Sequence, residues 1–179
     1  MRPRPDFRHS FFSRRHQRRL TLGYIRTTNM SQMHRYPYDE FMLELPDHWR
    51  QYANPDPAAV AFRSEELGAS LIVSVQFLVI AQDKAEAVAA NNLVARIAAH
   101  EKQYPGRVET LRRTVQAHSA GNSLETSYVA EVQGEAMFLY VGHITPRKIQ
   151  SALMVTKPDR QEASSVFNTT MRGYLPKTP

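Results

Sequence analysis

The chain has 179 residues, a formal charge of +6 and no cysteine. That length suits one ordinary domain with a single buried core, and the missing thiols exclude disulfide scaffolds, thiolate zinc sites and cysteine nucleophiles. The longest apolar run, Leu71 to Ile80, is interrupted by Ser74 and Gln76 and falls short of the ~20 residues that span a bilayer.

The charge is unevenly placed. Residues 1–30 hold eight arginines and one acid, Asp6, and so carry +7, which leaves −1 for the rest. With clustered arginines, few aliphatics and no periodicity, residues 1–33 are expected to be a disordered tail, and residues 34–179 the single folded domain. The leading expectation for the tail is that translation starts at Met30 or Met33. A solvated tail, a phosphate-neutralising arm and a targeting segment are the competing ones. Arg14-Arg15 hints at a twin-arginine signal, but LTLGYIRTT is not an apolar export core. Two glycosylation triplets, at Asn29 and Asn168, carry little meaning without a secretory signal.

The folded part reads as follows. Tyr38 to Leu45 alternates as a first strand, which Pro46 stops. Asp47 can cap a short helical turn, His48 to Tyr52, and Trp49 is a core anchor. After the Asn54-Pro55-Asp56-Pro57 turn, Ala58 to Ser64 is a second strand. Glu65-Glu66-Leu67-Gly68 then turns it into the long strand Ala69 to Ile80. That strand has two unlike faces. Leu71, Val73, Val75 and Phe77 form an apolar face expected under a helix, whereas Ser70, Ile72, Ser74 and Gln76 form a mixed one.

Asp83 and Glu86 make a capping-box pattern ahead of a helix from Lys84 to about Tyr104. Its apolar stripe is Ala85, Ala89, Leu93 and Ile97, with Ala90 and Val94 beside it. Pro105-Gly106 ends it. Four strands follow as a meander: Val108 to His118, polar and near an edge; Leu124 to Val132, after a turn at Gly121-Asn122; Met137 to Ile144; and Ile149 to Thr156. A second box, Asp159 with Glu162, opens a last helix, Arg160 to Leu175, whose Ala163, Val166, Phe167, Met171 and Tyr174 share one side. The pattern predicts an α+β protein: an antiparallel β-sheet of about six to seven strands with two long helices packed on it.

Catalytic signatures are missing. None of the seven histidines stands at a metal-ligating spacing. His100 sits where a cation complements the end of the helix dipole, and His143 lies on a strand with no acid near it in sequence. The serines at 70, 74 and 151 lie mid-strand rather than on an exposed elbow. No catalytic residue, metal ligand or cofactor is assigned, and a near-neutral folded domain is not expected to bind nucleic acid.

The segment Phe41 to Trp49, FMLELPDHW, resembles the opening of Mog1/PsbP-like domains. The long strand, the capped helix, the EKQYPG segment at 101–106, the meander and the final amphipathic helix follow in that family's order, over residues 36 to 176. Within it, LPDHW and EKQYPG look most like the effector-associated chaperones of type VI secretion. The resemblance implies a cytoplasmic, homodimeric, non-enzymatic adaptor that shields the N-terminal transmembrane helices of a PAAR-domain toxin until spike loading, without itself inserting into the membrane. The mixed strand face suits such a client, through Ile72, Ser74 and Gln76, extended by Ser151 and Leu153 or by Gln150 and Ala152. The alternative is another protein-binding module of the same fold, for example a GTPase-binding protein.

Overall fold

Runs whose side chains alternate between buried and half-buried, such as Phe41–Pro46 and Leu124–Val132, fold as strands. In this computed structural model residues 32–117 and 123–177 are described. The arginine-rich tail, the Asn29 triplet and the Gly121-Asn122 turn lie outside them. The elements run β1 (Met33–Pro37), β2 (Phe41–Pro46), β3 (Arg50–Tyr52), β4 (Ala59–Ser64), β5 (Ala69–Phe77), α1 (Ala85–Gln103), β6 (Val108–Ala117), β7 (Leu124–Val132), β8 (Ala136–Ile144), β9 (Lys148–Thr156), α2 (Arg160–Met171) and β10 (Tyr174–Pro176).

The architecture is α+β and every strand pairing is antiparallel, but there are two sheets rather than one. Seven strands pair in the order β3-β4-β5-β9-β8-β7-β6, and three in the order β1-β2-β10. The predicted meander holds, with polar β6 at the sheet edge. The predicted first strand does not join the large sheet. It starts at Phe41 rather than Tyr38, after a bend at Asp39-Glu40, and as β2 it lies in the small sheet between β10 and β1, a strand the sequence pattern does not predict. The last helix stops at Met171 instead of Leu175, because the chain turns at Gly173, where a Cβ would stand 2.0 Å from the Glu44 carbonyl oxygen. Tyr174 and Leu175 therefore belong to β10, not to the helix. The helical turn expected at His48–Tyr52 is instead a short turn followed by β3, whose Arg50 to Tyr52 pair with β4.

The main core lies between the sheets. Phe41, Leu43, Leu45, Trp49 and Tyr174 pack on Phe62, Leu71, Val73, Ala152 and Met154, with α2 adding Val166, Phe167 and Met171. Burial of each large apolar side chain contributes on the order of 1.5–3 kcal/mol. The apolar face of β5 is thus covered mainly by the small sheet, not by a helix. Phe77 escapes cover and is 68% exposed, because β5 leaves the sheet there rather than at Ile80.

The opposite face of the large sheet carries α1. Leu93 packs on Tyr128, Ala130, Val132, Phe138 and Tyr140, and Ala89 on Ile80, Ile144 and Ile149. Ala90 and Val94, placed beside the stripe by spacing, are exposed. Asp83 falls inside a 3-10 turn, Gln82–Lys84, and α1 begins without a side-chain cap. Asp159 does cap α2, accepting from the Glu162 amide at 2.7 Å. Among the described residues, no helix is long and apolar enough to cross a membrane.

Candidate functional site

Register decides which residues of neighbouring strands meet. β5 and β9 pair so that Ile72 opposes Leu153, Ser74 opposes Ser151, and Gln76 opposes Ile149. Directly opposed residues share a sheet face, so Ile72, Ser74, Gln76, Ser151 and Leu153 stand together. The Ser74 and Ser151 hydroxyls hydrogen-bond at 2.8 Å. Ile72, Ser74 and Leu153 are half-buried, Ser151 is buried and Gln76 is exposed. The competing pair faces the other way. Ala152 is in the inter-sheet core, and Gln150 donates through Nε2 to the Glu40 carbonyl at 2.5 Å.

This face is the one that α1 shares and α2 does not. Tyr140, opposite Leu153 on β8, marks the border. Its hydroxyl donates to Asn92 Oδ1 at 2.9 Å, and the Arg96 guanidinium lies 4.2 Å above its ring. Asn92 and Arg96 are four residues apart and so project from one side of α1, which forms a wall. The far rim is the sheet edge, where Tyr52 of β3 is 44% exposed. Four strand spacings of about 4.8 Å separate β8 from β3, roughly 19 Å in all. A helix about 10 Å across fits between wall and rim. Toward the β4–β5 turn the face opens into a depression of about 730 Å³ lined by residues that include Tyr52, Arg63, Ser70, Glu135, Val155 and Lys157.

The groove therefore has a mixed floor, with Ile72 and Leu153 beside a hydroxyl pair and Gln76, and charge at one end. Such a surface offers van der Waals contact and a few hydrogen bonds. It is not arranged for proton transfer. His143 opposes Gln150 on β8 and so belongs to the other face, where its ring lies 6.1 Å from that of Tyr174. His100, on the buried side of α1, has its ring 4.2 Å from that of Phe138 and its Nδ1 3.4 Å from the Tyr128 hydroxyl. Burial, and then the nearby Arg96, lower its pKa below 6.5. This favours the neutral imidazole and replaces the expected charged complement to the helix dipole. Among the described residues, no three His, Asp or Glu side chains gather in a metal-holding cluster.

Sequence reasoning groups the residues of this face and omits the α1 residues beside it. Asn92 and Arg96 leave a polar trace beside the apolar stripe of α1, but only the lateral placement of the helix turns that trace into one side of a groove.

No protein-family model and no curated protein matches the chain. Among solved structures it is similar to cyanobacterial PsbP (CyanoP) from Synechocystis, with a TM-score of 0.60 and 17% identity over 87% of this chain and 99% of that one. A Pseudomonas aeruginosa protein of unknown function, PA94, aligns with 19% identity over 82% of this chain and 99% of its own, at a TM-score of 0.44. The first likeness shows that the fold is PsbP-like.

Proposed function

We propose that the chain is a cytoplasmic adaptor that binds and shields the N-terminal transmembrane helices of a type VI secretion toxin before the toxin is loaded on the spike. It works as a homodimer and without catalysis. The observation that carries this reading is the groove floor: Ile72, Ser74, Gln76, Ser151 and Leu153 share one face, bordered by α1 and left open by α2. An apolar helix in water needs apolar cover, and its small-residue side makes close contacts and hydrogen bonds with hydroxyl partners. The floor supplies both, at the width of one helix. The order of LPDHW, the long strand, EKQYPG and the meander adds the family likeness.

The test is a pull-down with the full chain tagged at its C-terminus. A co-expressed toxin bearing N-terminal hydrophobic helices is expected to co-purify, and to be lost when those helices are deleted. Ser74→Arg and Gln76→Arg are each expected to abolish recovery while leaving the circular dichroism spectrum unchanged. Full recovery with both variants would rule out this face. Recovery of a GTPase in place of the toxin would move the assignment to another binding module.

A further inference from the structure

The wall of the groove holds a charge that the fold does not neutralise. The Arg96 guanidinium lies over the Tyr140 ring, and its Nε is buried with no protein acceptor. Five ion pairs join described residues, and none includes Arg96. Asn92, one turn earlier on the wall, already accepts from the Tyr140 hydroxyl through Oδ1. The side chain remains half-buried, so water satisfies the rest of the guanidinium while the groove is open.

A bound helix changes that. Laid on the floor between Tyr140 and Tyr52, it removes water from the groove side of Arg96. A cation that loses its hydration without gaining a partner is strongly disfavoured. A wholly apolar helix would bury Arg96 unpaired, whereas a helix with an acid at that level would replace the lost water with a charge-assisted hydrogen bond. We propose that Arg96 is the specificity-determining residue of the groove, and that the helix it accepts carries a carboxylate side chain facing it. The proposal rests on the helix-binding function set out above. Acidic residues are rare within membrane-spanning segments, so one such contact separates a cognate helix from most other hydrophobic helices in the cell, largely by penalising the wrong ones.

The experiment uses the full chain and three fluorescently labelled peptides. Each is a leucine–alanine helix flanked by lysines and carries Asp, Asn or Ala at its centre; binding is read by anisotropy in mild detergent. The Asp peptide is expected to bind about tenfold more tightly than the Ala peptide. Arg96→Met, which keeps the stem over Tyr140, should erase that preference, and Arg96→Lys should retain part of it. Thermal melts confirm that both variants fold. Equal binding of Asp and Ala peptides, or a preference that survives in Arg96→Met, overturns the role of Arg96; if Ser74→Arg still abolishes binding, the groove itself stands. Failure of all three peptides to bind, or binding unaffected by Ser74→Arg, overturns the groove and the Arg96 proposal together.

Discussion

Lys148 is a cation held almost wholly inside the protein, and its partners explain how it survives there. Its ammonium meets the Glu40 carboxylate and donates to the Lys177 carbonyl at 2.6 Å. The Lys148 side chain is 8% exposed and that of Glu40 is 30% exposed. Breaking a buried pair from one side leaves the other charge stranded, at a typical cost of about 3–5 kcal/mol. Partial exposure of Glu40 brings the expectation for Glu40→Ala down to about 2 kcal/mol, since solvent screens the pair. Lys148→Met removes the stranded cation along with the pair and should cost less, an ordering that urea denaturation of both variants would check. His100 gives a pH signature. Its folded pKa is lowered, first by burial and then by Arg96, so the unfolded chain takes up the proton at a higher pH than the folded one. Stability then rises with pH through the window below 6.5. The contribution is complete above that value and is lost as the pH falls through it. Melting temperatures of the wild type are expected to drop between pH 7 and 5, and His100→Gln should flatten that drop. An equal drop in the variant would assign it to other groups.

At the scale of elements, the last helix and the strand after it show what local chemistry can and cannot announce. Asp159 caps α2 as its spacing from Glu162 predicts, and Asp159→Ala is expected to cost about 1 kcal/mol, measurable as a lowered urea midpoint. The stop of α2 was not legible. Apolar spacing runs on through Tyr174, and only the docked β2 explains the break. The Glu44 amide donates to the Gly173 carbonyl at 2.8 Å, so the chain must pass Glu44 too closely for any side chain. Gly173→Ala would force β10 off β2 and is expected to cost about 2 kcal/mol, within the usual range for overpacking. Amide exchange should show the loss first at Tyr174 to Pro176. The same division holds elsewhere. The sequence pattern places β7 at Leu124 to Val132, and β8 and β9 to within one residue of their starts, because long strand-forming runs between turn residues announce themselves. β1, β3 and β10 have three to five residues each, and their pairing depends on neighbours distant in sequence. The missing cap on α1 has a similar origin. Asp83 is committed to a 3-10 turn before the helix begins.

On the scale of the whole molecule, the candidate site was half legible for a geometric reason. Two-residue alternation alone placed Ile72, Ser74 and Gln76 on one face, and it left Ser151 with Leu153 or Gln150 with Ala152 as equal extensions. Only the β5–β9 register chooses the first pair, and only tertiary packing puts α1 beside it and α2 behind it. That packing also ties the two sheets into one cooperative unit. The small sheet has three strands, two of them short, and such a sheet lacks independent stability without a packed face. Its inward residues Phe41, Leu43 and Leu45 share a single core with Leu71, Val73 and Met154 of the large sheet. Trp49, the only tryptophan in the chain, is 1% exposed within that core. Its fluorescence therefore reports separation of the sheets, while far-ultraviolet dichroism reports loss of the strands and helices. If the shared core makes the domain two-state, both signals must follow one urea transition with a common midpoint. A fluorescence change at clearly lower urea would mean that the small sheet opens first. The large sheet would then stand as a separate unit, and the inter-sheet core would not be what holds the β5–β9 face in place.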